Sequence, residues 1–265
     1  MIKQIVLIFL MVLFTGCAYT SSTQNGEVGI KRKQFMTLSA SKMQKGATQA
    51  YSQILAKAKK EKTLNIDKKT LKRIRTIASR LIPQVKIFRK DALKWKWEVN
   101  LISSPQLNAW CMPGGKIAFY TGIIEKLNLS DGEIAAIMGH EMSHALREHG
   151  RERASQSSIT NTGLSLVSSY FKLGNLGSSL AQKVLDITLT LPNSRTHETE
   201  ADRMGVELAA RAGYNPNDAV NVWVKMSKIS KGAPPEILST HPSNKTRIKD
   251  LKVYAKKVYH LYKNK

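Results

Sequence analysis

The sequence predicts an α+β domain, mainly helical, with a small antiparallel sheet packed on one central helix. Three observations carry that reading. Apolar residues recur at helical spacing in several runs, most densely in Ile134-Ala135-Ala136-Ile137-Met138. Three short stretches, 95–102, 107–112 and 116–121, read instead as strands, the last two joined by Pro113-Gly114-Gly115. Pro at a strand end suits an edge position. Finally, a chain of 265 residues can bury one large core.

The central helix starts at a capping box, Ser130 with Glu133, and Gly150 is placed to end it. It carries His140-Glu141-Met142-Ser143-His144. Residues four apart share a helix face, so His140 and His144 can present two imidazoles to one point. Glu141 is turned about one residue round from that face, where it can act as a general base on a water held there. A catalytic zinc needs three protein ligands and one open position.

A second stretch, 194–202, offers the third ligand. Glu198 and Asp202 are four apart on another helical run. The first can ligate a metal, and the second can hold the outer nitrogen of a ligand histidine. His197 and Glu200 compete for the ligand role, and spacing alone does not choose among them.

H-E-x-x-H at 140–144 followed by S-R-x-x-E-x-x-A-D-x-x-G at 194–205 resembles the HtpX-like and CAAX prenyl protease family of zinc metallopeptidases. Asn108-Ala109-Trp110-Cys111-Met112-Pro113-Gly114-Gly115 is similar to that family's N-A-x-x-x-P-G-G. The likeness runs from about Trp97 to Asp250, with the motifs in the family's order. It implies a zincin-like fold of the gluzincin type and one Zn2+ per chain. His140, His144 and Glu198 would be the metal ligands, Asp202 a supporting residue and Glu141 the base. An edge strand at Asn108 and Ala109 would hold an extended substrate by its main chain.

Residues 1–16 read as a signal peptide: Lys3, then an apolar run from Ile5 to Phe14, then Thr15-Gly16-Cys17. Ten apolar residues are too few to span a bilayer. Gly before Cys resembles a bacterial lipoprotein signal with Cys17 as the lipidated residue, and Ala18 resembles the outer-membrane sorting class. A plain secretory signal and an uncleaved anchor are the other two readings. Residues 17–34 read as a flexible tether, and 35–265 as a single metallopeptidase domain. Cys111, the other cysteine, is expected to be a small buried hydrophobe.

Helices are expected over 35–62, 68–82, 194–212, after Pro216 and after Pro242, with Gly213 closing the third. Residues 151–193 should form two helices that either pack or cover the cleft as a lid. Net charge is +23. That balance invites a nucleic-acid reading, but no recognition motif of that kind is present. Anionic lipids or envelope polymers are the expected partners, a solvated basic face being the plain alternative.

The resemblance implies hydrolysis of misfolded or unassembled envelope proteins by an outer-membrane lipoprotein facing the periplasm. A latent or chaperone-like envelope module retaining the site is the other reading. A structural protein binding polyanions, with no zinc dependence, is a third. His241 and Arg247 are candidate oxyanion stabilisers. His241 has a second possible role as a fourth zinc ligand that holds the site silent, and a third as a cap of the last helix.

Overall fold

The computed structural model describes residues 19–157, 176–229, 236–241 and 245–263. The described chain begins with a small antiparallel ribbon, β1 (Tyr19–Thr20) and β2 (Gln34–Phe35). Helices α1 (Ala40–Lys60) and α2 (Lys68–Leu81) follow. Asp67 caps α2 by accepting from the Thr70 amide, and Pro83 turns the chain into a 3-10 segment, Ile82–Ile87. A sheet of β3 (Glu98–Ile102), β4 (Ala109–Met112) and β5 (Lys116–Tyr120) comes next.

The order in that sheet is β3-β5-β4, and it is mixed. The β4-β5 hairpin is antiparallel as expected, but β3 runs parallel to β5. The loop and β4 between them act as a crossover, which no local pattern announces. Gly114 and Gly115 both have positive φ, near 80°, so the hairpin turn needs glycine there.

Short helix α3 (Thr121–Lys126) leads to α4 (Asp131–Leu146). The capping box forms in full, with Ser130 accepting from the Glu133 amide and Glu133 from the Ser130 amide. Gly150 does not end this helix. Arg147 is its C-cap, Glu148 takes a positive φ, and Gly150 lies inside α5 (His149–Ser157). Of the sixteen residues of α4, fourteen are buried, so the helix is enclosed on all sides.

Helix α6 (Leu176–Leu185) ends in a π-helical turn, Asp186–Thr190. Then come α7 (Arg195–Arg211), α8 (Asp218–Ile229), α9 (Glu236–Thr240) and α10 (Lys245–Lys263). Ser194 caps α7, and Gly213 follows its end with φ 77°. Helix α4 is sandwiched between α7, α8, α2 and β4. The centre of the expected lid, 158–175, lies outside the described residues, as does Cys17.

Residues 19–34 are not a loose tether. Val28, Ile30 and Gln34 are buried, and Arg147, fully enclosed, bonds to Ser21, Thr23 and the Arg32 carbonyl. Residues in 19–34 therefore pack against the body of the fold. Composition misleads here because a largely polar segment can be held by buried polar contacts beside two apolar anchors, Val28 and Ile30.

Candidate metal centre

Helices α4 and α7 touch at two glycines. A Cβ on Gly205 would lie 2.7 Å from the His140 amide nitrogen. This contact brings the two motif helices backbone to backbone and sets His140 beside Glu198 and Asp202.

Four donor atoms converge there, from His140, His144, Glu198 and His241, all within 4.8 Å of one another. His144 Nε2 is 3.1 Å from His140 Nε2 and 3.4 Å from Glu198 Oε1. His241 Nδ1 is 3.0 Å from Glu198 Oε1 and 3.2 Å from His140 Nε2. The outer nitrogens are already engaged: His140 Nδ1 is 3.0 Å from Asp202 Oδ1, and His144 Nδ1 is 2.9 Å from His149 Nδ1. Both Nε2 atoms therefore face one another beside a carboxylate. Such a buried set is repulsive without a cation, and two or three imidazoles with one carboxylate suit zinc.

Electrostatics follow burial and neighbours. Burial works against the Glu198 charge, yet His241 and His144 hold its carboxyl well below the usual range. Burial also opposes ionisation of Asp202, and Arg247 and His140 override it downward. Burial keeps the His144 imidazole well below its usual value, that is, neutral and able to ligate. His241 is raised: burial opposes its charge, but the Glu198 and Glu141 carboxylates prevail. Burial lifts the Glu141 carboxyl, whose Oε1 has no hydrogen-bond partner and lies 3.5 Å from His241 Nε2.

Arg247 does not face the cleft. It grips both Asp202 oxygens at 2.7 Å, reaches Glu198 Oε2 at 2.7 Å and stacks on Trp223. That makes it a support for α7 instead of an oxyanion stabiliser. The competing ligand candidates turn away too. His197 Nε2 is 3.2 Å from Glu152, and Glu200 is 3.0 Å from His149 Nε2. His149 and Arg147 were not anticipated. The one hint in the sequence is their place within five residues after His144.

Strand β4 forms the sheet edge on α4. The Asn108 carbonyl accepts from the Tyr120 amide at 3.1 Å, so by alternation the main chain of Ala109 and Cys111 faces outward. The Asn108 side chain covers the Ala109 amide, accepting from it at 2.9 Å. Cys111 and Pro113 line the cleft together with Glu141 and His144. Burial pushes the Cys111 thiol well up, leaving it an inert hydrophobe as expected. Opposite them, an apolar cavity walled by Ile137, Val206, Trp223 and Met226 opens beside Glu141 and His241.

Comparison with known proteins gives the same family throughout. Residues 68–255 match peptidase family M48. The chain is 39% identical over 153 residues to the mitochondrial metalloendopeptidase OMA1 of Arabidopsis thaliana, covering 58% of this chain and 30% of that protein. Against OMA1 of Schizosaccharomyces pombe it is 34% identical over 158 residues, 59% of this chain and 46% of the relative. Against the beta-barrel assembly-enhancing protease of Escherichia coli O157:H7 it is 27% identical over 173 residues, 60% and 34%. The chain thus spans less than half the length of these relatives. The match covers the sheet and both motif helices, whose side chains meet at one buried point, and the chain belongs to peptidase family M48, a family of zinc metallopeptidases.

Proposed function

We propose that this chain is a membrane-anchored zinc metalloendopeptidase that cleaves misfolded or unassembled proteins of the bacterial cell envelope. The observation that carries it is the convergence of His140, His144 and Glu198 on one buried point with Glu141 alongside. In this reading those three residues hold the metal and Asp202 fixes His140. A zinc ion held by these residues would supply Lewis acidity at neutral pH. Glu141 takes the proton from the attacking water and passes it to the leaving amine. The outward Ala109 carbonyl and Cys111 main chain pair with an extended substrate, while the apolar cavity beside Glu141 takes one of its side chains.

The envelope assignment rests on Gly16-Cys17 after an apolar run, and on the similarity to a beta-barrel assembly-enhancing protease. Lipidated Cys17 would anchor the chain to the outer membrane, facing the periplasm, and the basic surface suits anionic lipids or envelope polymers.

A second reading has its own observation. His241 Nδ1 sits among the other donor atoms, where an open position is needed for chemistry. The enzyme would then be latent until the segment around Thr240 and His241 moves.

The test is zinc content together with casein cleavage, for wild type and Glu141→Gln. About one zinc per chain in both, with cleavage lost in the variant, is expected. A wild type that holds zinc without cleaving casein supports the latent reading. A chain without zinc defeats both.

A further inference from the structure

We infer that His149 and Arg32 are positioning residues of the metal centre, acting on His144 through a buried relay anchored by Glu200. The inference deepens the metal-site reading above and rests on it. His144 lacks what His140 has, a carboxylate directly behind its outer nitrogen. In that place stands His149, whose Nδ1 is 2.9 Å from His144 Nδ1. Two facing ring nitrogens share one proton, so one must donate and the other accept.

Glu200 decides which. Its Oε2 lies 3.0 Å from His149 Nε2, and a carboxylate only accepts, so His149 carries its proton on Nε2. Its Nδ1 is then an acceptor, and His144 must donate from Nδ1. The lone pair of His144 Nε2 is left pointing at the centre, toward His140 and Glu198. His140 reaches the same state through Asp202 alone. The two histidines are set by different devices, one direct and one through an intervening ring.

The relay is held from the far end of the sequence. Arg32 lies between two carboxylates, donating to Glu200 at 2.8 and 2.9 Å and to Glu152 at 2.8 Å, with a second, shorter contact to Glu152. Arg147 adds a bond to Glu200 at 3.2 Å. Gln34 donates to Glu152 and to the Arg147 carbonyl, both at 2.7 Å. The His149 ring stacks on His197 at 4.3 Å, so it cannot rotate freely. Glu200 would be a costly buried charge without its cations, and Arg32 from the N-terminal segment is one of the two. The segment that looked like a tether thus reaches the ligand set through Glu200 and His149.

Two measurements on full-length protein read the relay without any proteolysis. Imidazole ¹⁵N spectra of the metal-free protein give the tautomer of His144, and competition with a chelator gives its zinc affinity. In wild type, His144 is expected as the Nδ1–H form. His149→Phe should mix its tautomers and weaken zinc binding about 10–100-fold. Arg32→Ala should shift both in the same direction, with Arg32→Lys restoring part of the loss. If His149→Phe does not fold, Glu200→Gln is read in the same way. Zinc affinity and His144 tautomer unchanged in the folded variants overturn the relay while leaving the metal centre intact. A wild type that binds no zinc defeats the metal reading instead, and the tautomer of His144 still decides the relay.

Discussion

Gly205 lies against the backbone of Gly139, and a methyl group on Gly205 would sit 2.9 Å from the Gly139 carbonyl carbon. The reverse substitution is no easier, since a Cβ on Gly139 would come 2.8 Å from the Gly205 carbonyl oxygen. Both contacts are with main chain, which cannot swing aside. Gly205→Ala should push α7 off α4 and carry Glu198 and Asp202 away from His140. Overpacking of this kind costs about 1–3 kcal/mol. The expected result is a lower Tm in the metal-free protein together with weaker zinc binding; an unchanged value of both would show that the helices separate freely.

The ligand set makes a separable prediction. Glu198→Ala and His144→Ala should each weaken zinc binding, whereas His197→Ala should leave the metal in place. Metal analysis after dialysis against a chelator checks this. Retention in Glu198→Ala with loss in His197→Ala would move the third ligand to the neighbouring residue.

His241→Ala separates two roles by the sign of its effect. Its Nδ1 lies among the ligand atoms and its Nε2 lies 3.5 Å from Glu141, so the ring can serve either side. Casein cleavage should rise if the ring closes the coordination shell. A fall of about 10²–10³ in rate would instead mark an oxyanion stabiliser. The geometry favours the rise, because the ring nitrogen nearest the other donors is already turned inward.

Attachment to the membrane is tested through Cys17. Metabolic labelling with a fatty acid should mark the wild-type chain and leave Cys17→Ser unmarked. Label retained in the variant, or a mature chain starting at another residue, would refute the lipid anchor.

Much of this centre was legible because its parts are local. His140 and His144, like Glu198 and Asp202, are i,i+4 pairs, and helical spacing puts each pair on one face. Asp202 Oδ1 lies 3.0 Å from His140 Nδ1. The relay behind His144 was not legible. Arg32 and Glu200 are 168 residues apart, and no periodicity links a polar N-terminal segment to a motif helix. The parallel pairing of β3 and β5 was hidden for a related reason. Alternation identifies strands, but the order of strands is settled by packing on α4. The end of α4 was misplaced because Arg147, held by buried oxygens, stops the helix where a glycine would ordinarily be sought.

The docking of residues 19–34 changes what the chain can reach. Eighteen loose residues would form a leash of up to about 60 Å, long enough to sweep a wide volume away from the bilayer. Since Tyr19 is already paired in β1, a lipid on Cys17 would be at most about 7 Å of chain from the folded body. Held that short, the catalytic body would lie against the membrane surface in a restricted orientation. Its substrates would have to come to it, as polypeptides emerging at or stalled on that surface. Inserting a flexible stretch between Cys17 and Tyr19 should then widen the range of proteins cut, and an unaltered range would mean that reach is not what limits it.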